Sequence, residues 1–203
     1  MTRRAVLFDI GGPVDMEFAW EIAVDGAIAA SCGMEGVRVD QAMVEEASER
    51  AVVAFASDTY GAMIEDLCGD PRTTERVRRR VEAMTGGLDA FQLRPDIDRL
   101  LRKLHGQGVV LGADRPERTG LGELFSVPFE VPPAECIFVG DRLDRDIAPA
   151  RARGMATIQF RTGRWRKQRP RDESETPDVV VSDVAELETA IHDLLDRELP
   201  ARS

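Results

Sequence analysis

The stretch AVLFDIGGPVD at residues 5–15 decides the fold of this 203-residue chain. Its apolar run, Ala5 to Phe8, is short and stops at Asp9 and a pair of glycines, which is typical of a strand buried on both faces. A second stretch of this kind, CIFVGDRLDRDI at residues 136–147, places Asp141 directly after its apolar run. Both stretches therefore predict a buried strand that ends in an acid.

Further apolar runs alternate with helical patterns in the second half of the chain. Val109 to Ala113, Ala156 to Phe160 and Val179 to Val181 read as strands. The alternation predicts an α/β fold with a doubly wound parallel sheet. Between the first strand and Thr85 the pattern is helical only. We therefore expect a core of residues 1–15 and 90–203 and a helical cap insert at residues 16–89.

The composition excludes several classes of partner. The formal net charge is -10, and so acidic a surface repels phosphate backbones, so we expect no nucleic-acid partner. No apolar run approaches the roughly 20 residues that span a bilayer, so we expect no membrane partner. The three cysteines lack metal-site spacing and read as reduced thiols, which predicts a cytoplasmic protein.

The acids that follow the strands predict a metal site. Ligands of an open parallel sheet bind at the carboxyl ends of its strands. Asp9 and Asp141 end two strands, and Asp144 and Asp146 follow shortly. Carboxylates that converge there repel one another, and Mg²⁺, which prefers oxygen ligands, relieves that repulsion. Mg²⁺ is therefore the expected cofactor.

Both acid-bearing stretches resemble motifs of the haloacid dehalogenase-like (HAD-like) hydrolases. Residues 6–14 look like the family's first motif, and FVGDRLDRDI at residues 138–147 is very similar to its acidic metal motif. Residues 149–157 match the usual continuation, and the helical insert lies where many members carry a cap. The resemblance implies a HAD-like Rossmannoid core of the capped, phosphatase-type branch, acting on a small phosphorylated molecule.

The resemblance also implies roles for single residues. Asp9 would be the catalytic nucleophile that becomes an aspartyl-phosphate. The implied metal ligands are Asp9, the carbonyl of Gly11, Asp141 and Asp146, with Asp144 as the alternative to Asp146. The implied substrate contacts are Gly12, Ala113, Asp114 and Arg115.

Three departures from the family pattern put full activity in doubt. The second acid of the first motif, which protonates the leaving group and later activates water, is Gly11 here. That help is typically worth roughly 10²- to 10⁴-fold. Ala113 replaces a Ser or Thr that binds phosphate. Neither Lys103 nor Lys167 matches the family's motif lysine.

Two functions therefore stay open: an impaired Mg²⁺-dependent phosphatase, or a non-catalytic HAD-like protein that binds a ligand or a partner chain. A dehalogenase or another ester hydrolase is a lesser alternative. Dehalogenases of this family need no metal, and the metal motif that this chain retains counts against them. The insert reads as a lid or as a packing subdomain. The basic stretch 161–171 reads as a solvated loop or as a flap that steers anions.

The stretch between Ala113 and Asp141 has room for one strand-helix-strand crossover of about 30 residues, where the family has more. This shortening predicts that Val109 to Ala113 lies at or near the sheet edge. An apolar edge tends to find a partner. We expect either Val127 to Val131 to cover it as a short strand or two chains to form a homodimer.

Overall fold

A computed structural model of the chain describes residues 4–88, 90–113, 122–125 and 131–196. The chain divides into two compact units. One comprises Met1–Met16 and Phe91–Ser203, and the other comprises Glu17–Ala90. No helix in the described ranges has both the length and the apolar character needed to cross a bilayer.

The first unit contains a five-stranded parallel sheet. Its strands in chain order are β1 (Ala5–Phe8), β2 (Val110–Ala113), β3 (Cys136–Gly140), β4 (Ala156–Phe160) and β5 (Val179–Val181). Their order across the sheet is β2-β1-β3-β4-β5, and every neighbouring pair is parallel. The predicted α/β fold with a parallel sheet is confirmed.

The strand order fixes where a ligand can bind. The chain leaves β1 for β2 on one side and then crosses to β3 on the other side. Strand order therefore reverses between β1 and β3, and a crevice opens at their carboxyl ends. Asp9 directly follows β1, and Asp141 directly follows β3. The sheet thus brings the two predicted acid-bearing ends side by side.

Seven α-helices lie in the described ranges. The second unit contains α1 (Phe18–Met34), α2 (Gln41–Val53), α3 (Thr59–Cys68) and α4 (Pro71–Thr85). The first unit contains α5 (Ile97–Gly106), α6 (Ala148–Ala152) and α7 (Val184–Asp196). The side chains of Asp40 and Asp70 accept hydrogen bonds from the first turns of α2 and α4, as is typical of acids at helix starts.

Each unit has its own hydrophobic core. In the first unit, Phe8, Ile137 and Ile158 of the sheet pack with apolar residues of α5 and α7. In the second unit, α1 to α4 bury a separate cluster around Ile28 and Met63. The core of the first unit anchors the strands whose ends carry the acids.

The edge position predicted for the second strand is confirmed within the described residues, where β2 is the outermost strand of the sheet, beside β1. Leu111 of β2 also forms an isolated parallel bridge with Phe125. The predicted covering strand at Val127–Val131 falls mostly outside the described residues. Val131 itself is buried and packs against Ala5 and Cys136. The homodimer stays a prediction.

One local prediction is confirmed and one is corrected. The pattern at residues 147–153 predicts a helix, which α6 confirms, and a π-helical turn, Leu143–Ile147, precedes it, so the part of the motif that carries Asp144 and Asp146 is itself helical. The basic stretch 161–171 is not a solvated loop at its centre, because Trp165 and Gln168 are buried. The pattern at residues 115–125 predicts a turn and a helix, and most of these residues lie outside the described ranges.

We predict that Ile137→Ala destabilises the protein far more than Val180→Ala does. Ile137 is fully buried in β3, whereas Val180 in β5 is 42% exposed. Truncating a buried Ile costs about 2–5 kcal/mol, and a surface change typically stays within about 0.5 kcal/mol. Urea unfolding of both variants measures the difference. Equal losses would show that β3 is not a core strand.

Candidate active site

Three carboxylates meet at the carboxyl ends of β1 and β3. Asp9, Asp141 and Asp146 each offer one oxygen atom, and these three atoms all lie within 4.8 Å of one another. Asp141 is only 3% exposed. The backbone N–H of Asp9 donates to the carbonyl of Val139 at 2.8 Å, which ties the end of β1 to β3. The sheet thus holds three acids at the distance at which they can share one cation.

Two glycines make this close approach possible. Gly12 has a φ of +84°, and a Cβ atom there would lie 2.7 Å from Oδ2 of Asp141. A Cβ atom at Gly140 would lie 2.4 Å from Cβ of Asp146. Real Cβ atoms do not approach other heavy atoms this closely, so both positions need glycine while the acids stay in place. Gly12 was predicted as a substrate contact, and its packing against Asp141 gives it a structural reason as well.

The π-helical turn orients the third acid. The backbone N–H of Arg142 donates to Oδ2 of Asp146 at 2.8 Å. Burial nevertheless raises the pKa of Asp146 to about 6, because the charged form loses more hydration than this hydrogen bond returns. Burial thus disfavours the charged form of Asp146. A cation bound among the three acids would favour that form.

Asp144, the alternative metal ligand in the sequence, lies apart from this group. Arg142 donates to both oxygens of Asp144, at 3.2 and 2.8 Å. Burial alone would raise the pKa of Asp144, but the hydrogen bonds and charge of Arg142 outweigh it and lower the pKa. The guanidinium of Arg142 in turn lies 3.9 Å above the ring of Trp165. Asp144 therefore already has its cation, and Asp146 is the acid that joins Asp9 and Asp141.

The three departures from the family pattern concern the residues expected to contact the substrate. Ala113 ends β2 in register with Phe8 and brings no hydroxyl to the site. Lys103 forms an ion pair with Glu188 at 2.6 Å, on the face where α5 meets α7. Gly11 carries no side chain, and its roles in metal and substrate chemistry stay predictions. Asp114 and Arg115 lie outside the described residues.

Sequence reasoning missed four residues around the acids. Gln168 accepts a hydrogen bond from the N–H of Leu143 at 2.9 Å, and Gln159 donates to the carbonyl of Asp141 at 3.4 Å. Arg94 and Thr162 hydrogen-bond to each other beside the loop that follows Asp9. No motif marks these residues, since their contacts join positions that are far apart in the chain.

Comparison with known proteins supports the assignment of the fold. A protein-family model described as HAD-hydrolase-like matches residues 99–187. A predicted phosphoglycolate phosphatase from Haemophilus somnus has a TM-score of 0.65 at 16% identity, over 94% of this chain and 99% of that one. A HAD family hydrolase from Deinococcus radiodurans has a TM-score of 0.60 at 16% identity, over 95% and 96%. The resemblance to HAD-like hydrolases is confirmed.

A curated protein shares a shorter stretch. The glyceraldehyde 3-phosphate phosphatase of Methanopyrus kandleri is 38% identical over 64 residues, which are 32% of this chain. The match spans only 28% of the length of that phosphatase. The substrate in its name is therefore a property of that phosphatase, and this chain is similar to only one part of its sequence.

We predict that Gly140→Ala destabilises the protein and that Gly106→Ala does not. The new Cβ at position 140 must displace the backbone that carries Asp146, and such overpacking typically costs about 1–3 kcal/mol. A Cβ at Gly106, in the last turn of α5, meets open space, and alanine there is favoured by about 0.5–1 kcal/mol. Urea unfolding checks both. A harmless Gly140→Ala would mean that Asp146 is not held against β3.

Proposed function

We propose that this HAD-like chain is a Mg²⁺-dependent phosphatase that cleaves small phosphorylated molecules through an aspartyl-phosphate on Asp9. The observation that carries the proposal is the group of three carboxylates, Asp9, Asp141 and Asp146, within 4.8 Å at the point where strand order reverses. The HAD-like fold supports it, since phosphatases occur among the solved proteins of the same fold.

The three acids fit a magnesium ion. Mg²⁺ is a hard cation that takes oxygen ligands and is held in proteins through one or two carboxylates plus substrate phosphate. All three donors are carboxylates, and burial raises the pKa of one of them, Asp146, so a bound cation would favour its charged form. When bound, Mg²⁺ would shield the negative charge of the phosphoryl group from that of the attacking acid. The carbonyl of Gly11 would complete the protein's ligands.

The nucleophile in this proposal is Asp9. It is the acid at the end of β1, and its backbone is fixed by the hydrogen bond to Val139. One carboxylate oxygen of Asp9 would attack phosphorus, the bond from phosphorus to the leaving oxygen would break, and that oxygen would depart with the electron pair. Water would then attack the phosphorus of the aspartyl-phosphate and release Asp9 and phosphate.

Gly11 makes both of these steps slower. In the family, the acid at this position gives a proton to the leaving oxygen and later takes one from water. Gly11 has no group for either transfer, and a loss of roughly 10²- to 10⁴-fold is the usual size of such an effect. The proposed enzyme is therefore impaired, and it depends on leaving groups that are stable without a proton.

The alternative is a non-catalytic HAD-like protein that binds a ligand or a partner chain. The absent acid at Gly11, the absent hydroxyl at Ala113 and the absent motif lysine favour it. The three acids favour the enzyme, because carboxylates that lie close together repel one another and destabilise the fold unless a cation binds between them. A phosphatase assay separates the two functions.

We predict that the wild type cleaves an activated aryl phosphate only when Mg²⁺ is present and that Asp9→Asn abolishes this cleavage. The amide of Asn cannot attack phosphorus. Asp98→Asn, which removes an exposed acid on α5, is the matched control and should keep the wild-type rate. Steady-state rates with and without Mg²⁺ test this.

Two results would contradict the proposal. Cleavage that survives in Asp9→Asn would mean that another group attacks phosphorus. No cleavage by the folded wild type, with Mg²⁺ still bound in calorimetry, would favour the non-catalytic alternative.

We also predict a steep dependence on the leaving group. The wild type should cleave an aryl phosphate far faster than a sugar phosphate, because a sugar alkoxide needs a proton as it leaves. Gly11→Asp should narrow the gap, by up to roughly 10²- to 10⁴-fold. The ratio of kcat/KM for the two substrates measures this. Equal rates on both in the wild type would mean that another acid, such as Asp15 or Asp114, donates the proton.

A further inference from the structure

The side chain of Arg94 forms hydrogen bonds to the Gly12–Pro13 loop, which follows Asp9. Its Nε donates to the carbonyl oxygens of Gly12 and Pro13, at 3.0 and 3.2 Å. Its Nη2 donates to the same carbonyl of Gly12 at 2.5 Å and to Oγ1 of Thr162 at 2.9 Å. One guanidinium thus joins the loop after β1 to the loop after β4.

The Gly12–Pro13 loop also supports the acids of the site. Gly12 lies against the carboxylate of Asp141, with room for no side chain between them. A displaced Gly12 would therefore release Asp141 on one side. It would also move the adjacent carbonyl of Gly11, which the proposed function uses as a metal ligand.

Backbone hydrogen bonds also hold the segment around Arg94 against the loop that follows Asp9. The N–H of Arg94 donates to the carbonyl of Val14 at 2.8 Å, and the N–H of Met16 donates to the carbonyl of Gln92 at 2.9 Å. These bonds do not depend on the Arg94 side chain, so a variant at position 94 keeps the two segments paired. The side chain acts on what remains, the carbonyls of Gly12 and Pro13.

The environment of Arg94 shows that its charge comes at a cost. Burial lowers the pKa of Arg94, while the charges of Asp15 and Asp141 act in the opposite direction. Its guanidinium also lies 4.8 Å from the centre of the Phe160 ring. Burying a cation is unfavourable unless its donors are used. The planar guanidinium uses them on three oxygens at once, which a lysine ammonium on its flexible stem does not reproduce.

We propose that Arg94 is a positioning residue that holds the Gly12–Pro13 loop, and with it the three acids, in metal-binding geometry. The consequence for metal binding rests on the proposed function, whereas the role of Arg94 in holding the loop by hydrogen bonds does not. Neither sequence motif contains this residue. It would give a site that lacks the family's lysine another buried cation, one that acts on the loop and not on the phosphate.

The direction of the effect separates positioning from simple charge. If Arg94 acted only as a positive charge near Asp141, its removal would tighten the binding of Mg²⁺. If Arg94 positions the loop, its removal weakens Mg²⁺ binding, by the roughly 10- to 100-fold that is usual for residues behind metal ligands. A lysine at position 94 keeps the charge and loses the geometry.

The test uses the full chain with Arg94→Met, Arg94→Lys and Thr162→Val, and Arg102→Gln as the control. Arg102 is an exposed arginine of α5 that pairs with Asp98. Circular dichroism confirms folding. Calorimetric titration with Mg²⁺ gives the affinity, and hydrogen exchange of the metal-free protein follows the amides of Val14 and Asp15, which bond to Ile10.

We expect both Arg94 variants to bind Mg²⁺ roughly 10- to 100-fold more weakly and to exchange these amides roughly tenfold faster. Thr162→Val, which removes one of the acceptors, should fall between them and the wild type, and Arg102→Gln should match the wild type. Unchanged exchange in Arg94→Met overturns the proposal. So does Mg²⁺ binding that is unchanged or tighter in Arg94→Met, or normal in Arg94→Lys.

The two proposals fail in different ways. If the folded wild type binds no Mg²⁺, the proposed function falls and the metal-positioning role falls with it. The exchange rates of Val14 and Asp15 then still decide whether Arg94 holds the loop.

Discussion

Repulsion among three carboxylates is the constraint on which the rest of this site depends. Asp9, Asp141 and Asp146 place their oxygens within 4.8 Å of one another, and Asp141 is almost completely buried. The parallel sheet forces the first two together, because β1 and β3 are neighbours that end at the same edge. The glycines at positions 12 and 140 let the backbone lie against the side chains of Asp141 and Asp146, where a Cβ atom would clash.

The neighbourhood of the acids decides which carboxylates remain for a metal. Residues 6–14 and 138–147 contain four acids, and Arg142 occupies one of them by pairing with Asp144. Trp165 covers the guanidinium of Arg142, and Gln168 supports the same turn from the buried centre of the basic stretch. A segment that reads as a charged surface loop thus completes the wall of the acidic turn. Its buried residue Gln168 donates a hydrogen bond to Asp144, and its Arg171 pairs with Glu175.

The sequence predicted what depends on periodicity and chain order. Short apolar runs that end in acids gave the strands, and the short crossover after Ala113 gave the edge position of β2, which the sheet order confirms. It favoured Asp146 over Asp144 only through the family resemblance, because the pairing that occupies Asp144 depends on where Arg142 points. It also gave no sign of Arg94, whose partners Gly12 and Thr162 are distant in the chain. Contacts of this kind follow from packing, which a pattern along one chain does not contain.

The loss of the acid at Gly11 has a consequence for timing. An activated leaving group needs no proton, so the first step can proceed, while hydrolysis of the aspartyl-phosphate still lacks its base. The phosphorylated chain should then accumulate. The most direct measurement is mass spectrometry of the protein quenched in acid during turnover of an aryl phosphate with Mg²⁺. The account predicts one phosphoryl group on the peptide that contains Asp9, and none in Asp9→Asn. Turnover without that group, or with the group on another residue, would contradict it.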